Sequence, residues 1–257
     1  MKQFLLLCMC LSGCFLTKAQ SQDFTTGNDT VLAAALAYER MYFESGNDSF
    51  LLRKAYSYKQ TGNYTEELRV LARINNPTFD LYYEKALAYF FLEEYESCQQ
   101  ELLRAQYIQG ESTKNVVILR ILSLIATRKW GEARQEMLTH NEMLGISAEE
   151  VDRIVPAKVK PKNTQRAYNL SLWMPGTGQM YAGHFGKGMV SGGIQAGLVG
   201  FNLYSFVKGY YFTGTLSGVA LFYTFYLGGA RYAMNLSEMN NEKKGNQISE
   251  RFIGYIK

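Results

Sequence analysis

The chain has 257 residues, 47% of them hydrophobic and 14% aromatic, and 27 basic against 23 acidic residues give a formal net charge of +4. The basic residues are dispersed except for Lys158, Lys160, Lys162 and Arg166, a cluster beside an apolar stretch that suits lipid headgroups, so a nucleic-acid partner is excluded. Of the four cysteines, Cys8, Cys10 and Cys14 fall in the N-terminal apolar segment and Cys98 stands alone, which excludes an intramolecular disulfide in the cleaved chain and a cysteine-rich metal site.

Residues 1–19 have the three zones of a secretory signal: basic Lys2, an apolar run from Phe4 to Leu16, and the small-residue exit Thr17-Lys18-Ala19. Cleavage after Ala19 leaves Gln20 first. A rival exit, Leu11-Ser12-Gly13-Cys14, matches the lipobox pattern in which Cys14 is acylated and kept as the first residue.

Residues 30–150 carry helical periodicity, and Pro77 is the proline within them. Three segments share a spacing: Ala55, Tyr58, Gly62-Asn63-Tyr64 and Leu71; then Ala86, Tyr89, Tyr95, Cys98, Leu102 and Ala105; then Leu124, Trp130, Ala133 and Met137. Tyr64, Tyr95 and Trp130 lie roughly 31 and 35 residues apart, which brackets the period of stacked helix pairs. Such pairs come in arrays because each exposes an apolar stripe that only its neighbour buries. The segment 31–46, with Leu32, Leu36, Tyr38, Met41, Tyr42 and Phe43, is expected to open the array and cover its first face. The acidic doublets Glu66-Glu67 and Glu93-Glu94 read as solvated helix ends.

These segments resemble the tetratricopeptide repeat, in which a small residue and a tyrosine three later precede a gly-x-tyr turn, with alanine three residues beyond the aromatic. Here Glu67, Cys98 and Ala133 occupy that alanine position. The resemblance implies a short solenoid with a concave face for a protein or peptide partner.

Residues 151–166 form an expected linker, in which Pro156 and Pro161 alternate with lysines. Residues 167–234 then change character. The uncharged stretches 189–207 and 209–230 are separated by Lys208, and at roughly 19 and 22 residues each matches the length of a bilayer-crossing helix. A two-pass membrane hairpin is the expectation. Gly188 and Gly192, Gly193 and Gly197, and Gly214 and Gly218 recur at i and i+4, the spacing that lets helices approach closely in lipid or against a second copy. Gln195 and Asn202 should then face the partner helix, and Tyr210, Tyr211, Phe212, Tyr223, Tyr226 and Tyr232 the headgroups. A polar tail, 235–257, follows.

Pro175-Gly176-x-Gly178-Gln179-x-Tyr181-x-Gly183, with Lys187-Gly188 and two apolar segments after it, resembles a small two-transmembrane-helix domain family, especially its versions in Bacteroidota. The resemblance covers about the last third of the chain and implies a membrane domain without established chemistry. The glycines lack the lysine-serine or lysine-threonine ending of a phosphate-binding loop. His140 and His184 lie in different domains with no nucleophile or metal pattern beside them.

The fold expected is all-α, a helical-repeat solenoid followed by the hairpin, with no catalytic residues and no cofactor. Its place is the bacterial envelope, with the repeats periplasmic. One signal conflicts: basic residues flank the hairpin at Lys158 to Arg166 and at Arg231, Lys243 and Lys244, which by the positive-inside rule puts both ends in the cytoplasm. Two functions stand, an anchored non-catalytic adaptor and a membrane-embedded oligomerising component that assists insertion, secretion or transport.

Overall fold

The computed structural model describes residues 26–110 and 112–256, and every regular element among them is helical. The segment expected to direct secretion, 1–19, and Cys14 within it lie outside the described residues. The chain divides into two compact units, one running to Ala157 and including Arg251–Lys257, the other Lys158–Glu250.

In the first unit α1 (Thr26–Ser45), α2 (Asp48–Gln60), α3 (Tyr64–Leu71), α4 (Phe79–Phe91), α5 (Tyr95–Gln109), α6 (Lys114–Ala126) and α7 (Trp130–Thr139) follow one another, then the short α8 (Asn141–Leu144) and α9 (Ala148–Ile154). From α1 to α7 each helix packs on the next, and α4 also meets α6. Side-chain caps start several of them: Asn47 accepts from the Ser49 amide, Asn63 from Glu66, Thr78 from Leu81 and Thr113 from Val116. The core runs from Leu51, Ala55, Leu71 and Leu81 to α6, where Val116–Leu119 and Ile121–Ile125 are all buried. A helix apolar on all sides belongs at the centre of its unit. Trp130 is buried, and its indole Nε1 donates to the Ile125 carbonyl at 3.2 Å.

The turns α2–α3, α4–α5 and α6–α7 take one backbone path. Their middle residues, Gly62, Glu93 and Arg128, have φ of 73°, 63° and 63°. The next amide reaches back five residues in each: Asn63 donates to Tyr58 O, Glu94 to Tyr89 O and Lys129 to Leu124 O, at 2.9–3.0 Å. This double closure with a left-handed residue satisfies the orphan carbonyls of a helix end. Three residues beyond each turn's aromatic, Glu67, Cys98 and Ala133 are all buried.

Three expectations change here. Helix α1 meets the array through buried Ala35 and half-buried Tyr42, while Leu32, Leu36, Met41 and Phe43 are exposed. It is fixed instead by charge: Glu39 binds Lys54 at 2.6 Å and Arg73 at 2.7 Å, and the Arg73 hydrogen bond, followed by those to Lys54, holds its carboxyl at about 2. The linker is shorter than 151–166, because Ser147 and Glu150 form a capping box that starts α9, whose Val151 and Ile154 are buried. The segment 235–257 is no free tail: it continues the last helix to Ile256 and buries Asn241, Ile248 and Phe252.

The second unit contains α10 (Thr164–Trp173), α11 (Thr177–Tyr181), α12 (Phe185–Val207), α13 (Tyr211–Thr213), a π-helical turn at Gly214–Val219 and most of α14 (Ala220–Ile256). Helix α10 packs on α11, α11 on α12, and α12 on the π-helical turn. No helix among the described residues is long and apolar enough to cross a membrane, so the two-pass hairpin is not shown. In α12 the residues Lys187, Gln195 and Asn202 and several glycines lower the apolarity. The second apolar stretch is divided among α13, the π-helical turn and the first turns of α14, which then becomes charged.

Candidate functional site

The Pro-Gly-x-Gly-Gln segment forms the structural knot of the second unit. Pro175 ends α10, as a proline must when the residue before it, here Met174 at ψ 115°, is extended. Gly176 then turns at φ 96°, and Thr177 Oγ1 closes the turn by donating to Leu170 O and Met174 O, both at 2.7 Å.

The glycines that follow allow backbones to touch. A Cβ added at Gly178 would lie 2.0 Å from Ala167 O and 2.3 Å from Ser171 Oγ; one at Gly176 would lie 2.2 Å from Gly188 O; one at Gly188, 2.5 Å from Gly176 O. No side chain fits at such distances without moving main chain. Gly192 is next in the row, 3.2 Å from Pro175 O by the same measure.

Gln179 is fully buried and ties together helices far apart in sequence. Its Oε1 accepts from Ser171 Oγ of α10 at 3.1 Å, and its Nε2 donates to Ser191 Oγ of α12 at 3.3 Å and to Gly229 O of α14 at 2.9 Å. A buried amide needs such partners, and a fully satisfied one specifies how its neighbours pack. Tyr181 supplies the outer end: its hydroxyl accepts from the Asn163 amide at 3.2 Å, Lys162 Nζ donates to its carbonyl at 2.5 Å, and Lys162 and Arg166 lie over its ring. Gly183, at φ 93°, repeats the turn path of the first unit, with the His184 amide donating to Gln179 O at 2.9 Å.

The remaining glycines divide. Gly218 faces Asn202, whose side chain a Cβ would strike, and Gly214 lies against Ser205 and Phe206. Gly193 and Gly197 have nothing within 4 Å of an added Cβ among the described residues, so the described structure does not show the packing expected of this pair. Gln195 is turned inward, 4% exposed. Outside lies a broad apolar surface, with Met189, Val190, Leu203, Val207, Phe212 and Leu216 each more than half exposed. Between α12 and α14, Val190, Ile194, Gln195, Phe225 and Tyr232 line a cavity of about 620 Å³.

In the first unit a groove of about 410 Å³ opens where α1, α2, α3 and α4 meet, lined by Tyr38, Tyr56, Ser57, Glu67, Asp80 and Glu84 among others. Glu67, expected on a solvated helix end, is 1% exposed. The signal was present in the sequence, since a carboxylate stands where the resembled repeat places alanine. Cys98 at the equivalent position is equally buried, and burial pushes its thiol up to about 12, which leaves it protonated and unreactive.

No group of three or more His, Cys, Asp or Glu among the described residues is placed to hold a metal ion. His140, which caps the end of α7, has its Nδ1 3.2 Å from Glu136 O, and His184 precedes α12 in the other unit. No family model, curated protein or solved structure matches the chain.

Proposed function

We propose that this chain is a non-catalytic adaptor of the bacterial envelope, with a helical-repeat unit that holds a protein partner and an apolar hairpin unit seated in lipid. The observation that carries it is the concentration of exposed large apolar residues between 189 and 225, among them Met189, Val190, Leu203, Val207, Phe212 and Leu216, where a water-facing protein scatters such residues singly. The two-pass form of the hairpin draws support from where its polar groups point. Gln195 is buried and Asn202 lies against Gly218, so the outward surface is more apolar than the helix average, which is the arrangement lipid requires. Helix α12, at 23 residues, extends about 34 Å at 1.5 Å per residue, against a hydrocarbon layer of about 30 Å. The tetratricopeptide-like reading is supported by the three turns of one backbone path and by the buried positions 67, 98 and 133.

The test is extraction. The full chain should stay in the membrane fraction through high salt and carbonate and leave it only in detergent, because screening charges does not reverse apolar burial. Release by carbonate would overturn the reading.

One observation favours the alternative, a membrane-embedded component that works by oligomerising and uses the repeats as a docking site. Gly193 and Gly197 form a small-residue pair that faces open space, and in lipid such a face accepts a second helix closely. Crosslinking between copies that is lost in Gly193→Leu would support it.

A further inference from the structure

Resting on the adaptor reading, we propose that the groove of the first unit binds the cationic end of a lysine or arginine side chain of the partner, with Glu67 as its counter-ion. Glu67 Oε2 is buried and has no hydrogen-bond partner among the described residues, and its side chain lines the groove. A carboxylate in that position is costly unless a cation meets it. The nearest lysine does not fill the role, because Lys59 Nζ is held by Glu84 Oε2 at 2.5 Å. Arg53 lies 6.0 Å over the Phe50 ring. The acidic side chains Asp80 and Glu84 in the wall disfavour an anion, and among the described residues no group of three or more His, Cys, Asp or Glu is placed to hold a metal ion. Tyr38 and Tyr56 in the wall suit an alkyl stem or a guanidinium plane. A single cation on a long apolar stem is the ligand that matches all of these features.

Burial, and after it the charge of Glu84, push the Glu67 carboxyl up to about 8, with Lys59 acting the other way. The groups around it are Tyr38 on α1, Arg53, Tyr56 and Lys59 on α2, and Asp80 and Glu84 on α4. An arriving cation displaces the proton from Glu67, so affinity rises with pH up to about 8, where the free carboxyl has ionised, and then holds while the ligand stays charged, which for a lysine ammonium extends to about 10.4.

The experiment is chemical-shift mapping on the full chain in detergent micelles, with n-butylammonium and n-butylguanidinium as probes and n-butanol and butyrate as controls. The expected result is that the two cations shift residues of the groove and bind at least tenfold more tightly at pH 9 than at pH 6, while the controls do not bind. Glu67→Gln, and independently Glu67→Ala, should abolish both the shifts and their pH dependence. Equal binding of butanol, or binding unchanged in folded Glu67→Gln, overturns the proposal. A peptide array probed with the same chain separates this from the adaptor reading. Lysine- or arginine-containing peptides captured through Glu67 support both. Capture of acidic or neutral peptides independently of Glu67 leaves an adaptor but removes the cation site, and capture of none removes the partner that both require. Spermidine that binds more tightly than every captured peptide would assign the groove to a free polyamine and overturn the protein partner.

Discussion

At Glu67 a carboxyl with an ordinary value of 4.5 rises to about 8 in the folded chain. The folded state therefore holds a proton between those values that the unfolded chain has released, so stability falls as pH rises from about 4.5 to 8 and levels off above. Glu67→Gln should flatten that slope, measured by thermal unfolding of the full chain in detergent across pH 5–9; an unchanged slope would place its origin elsewhere. The turns give a second expectation. Glu93 occupies the left-handed region at φ 63°, where a side chain costs roughly 1–2 kcal/mol and glycine costs some unfolded-state entropy. Glu93→Gly should then stabilise by about 0.5–1 kcal/mol, and Gly62→Ala, at φ 73° with open space around it, should destabilise by about 1 kcal/mol. The turns were partly legible: Gly62-Asn63-Tyr64 announced the first. Glu93 and Arg128 hid the other two, because nothing in their side chains signals a left-handed backbone.

At the scale of elements, the motif glycines and the open glycines should part company. Gly178→Ala places a Cβ against Ala167 O and Ser171 Oγ and should cost roughly 1–3 kcal/mol, the range for overpacking. Gln179→Ala, which strands Ser171, Ser191 and Gly229 O, should cost about the same. Gly193→Ala meets nothing and should fall within about 0.5 kcal/mol of the parent. Melting temperatures in detergent would check all three, and equal losses at positions 178 and 193 would mean that close backbone contact does not organise the unit. Spacing at i and i+4 could not separate these glycines, because it gives a face and not what covers it. The helices of the first unit were legible for the opposite reason: apolar periodicity is a local signal. The extension of α14 to Ile256 was not legible, since its polar surface reads as a tail and only distant contacts bury Asn241 and Phe252.

For the whole molecule, the division at Ala157 and Lys158 falls within the stretch where Pro156 and Pro161 break the helical pattern, while nothing in the composition signals that the chain from Arg251 on belongs with the first unit. What the second unit faces is set by orientation within α12 and by the helical path after Gly209. The most direct measurement is the accessibility of spin labels placed singly at Val199, Leu203, Leu216 and Leu221 in the full chain reconstituted into vesicles. If the apolar face of the hairpin lies in lipid, these labels collide readily with oxygen, which concentrates in hydrocarbon, and poorly with a water-soluble nickel chelate, while a label at Lys208 shows the reverse. Labels at the four apolar positions as open to the nickel chelate as Lys208 would contradict the account.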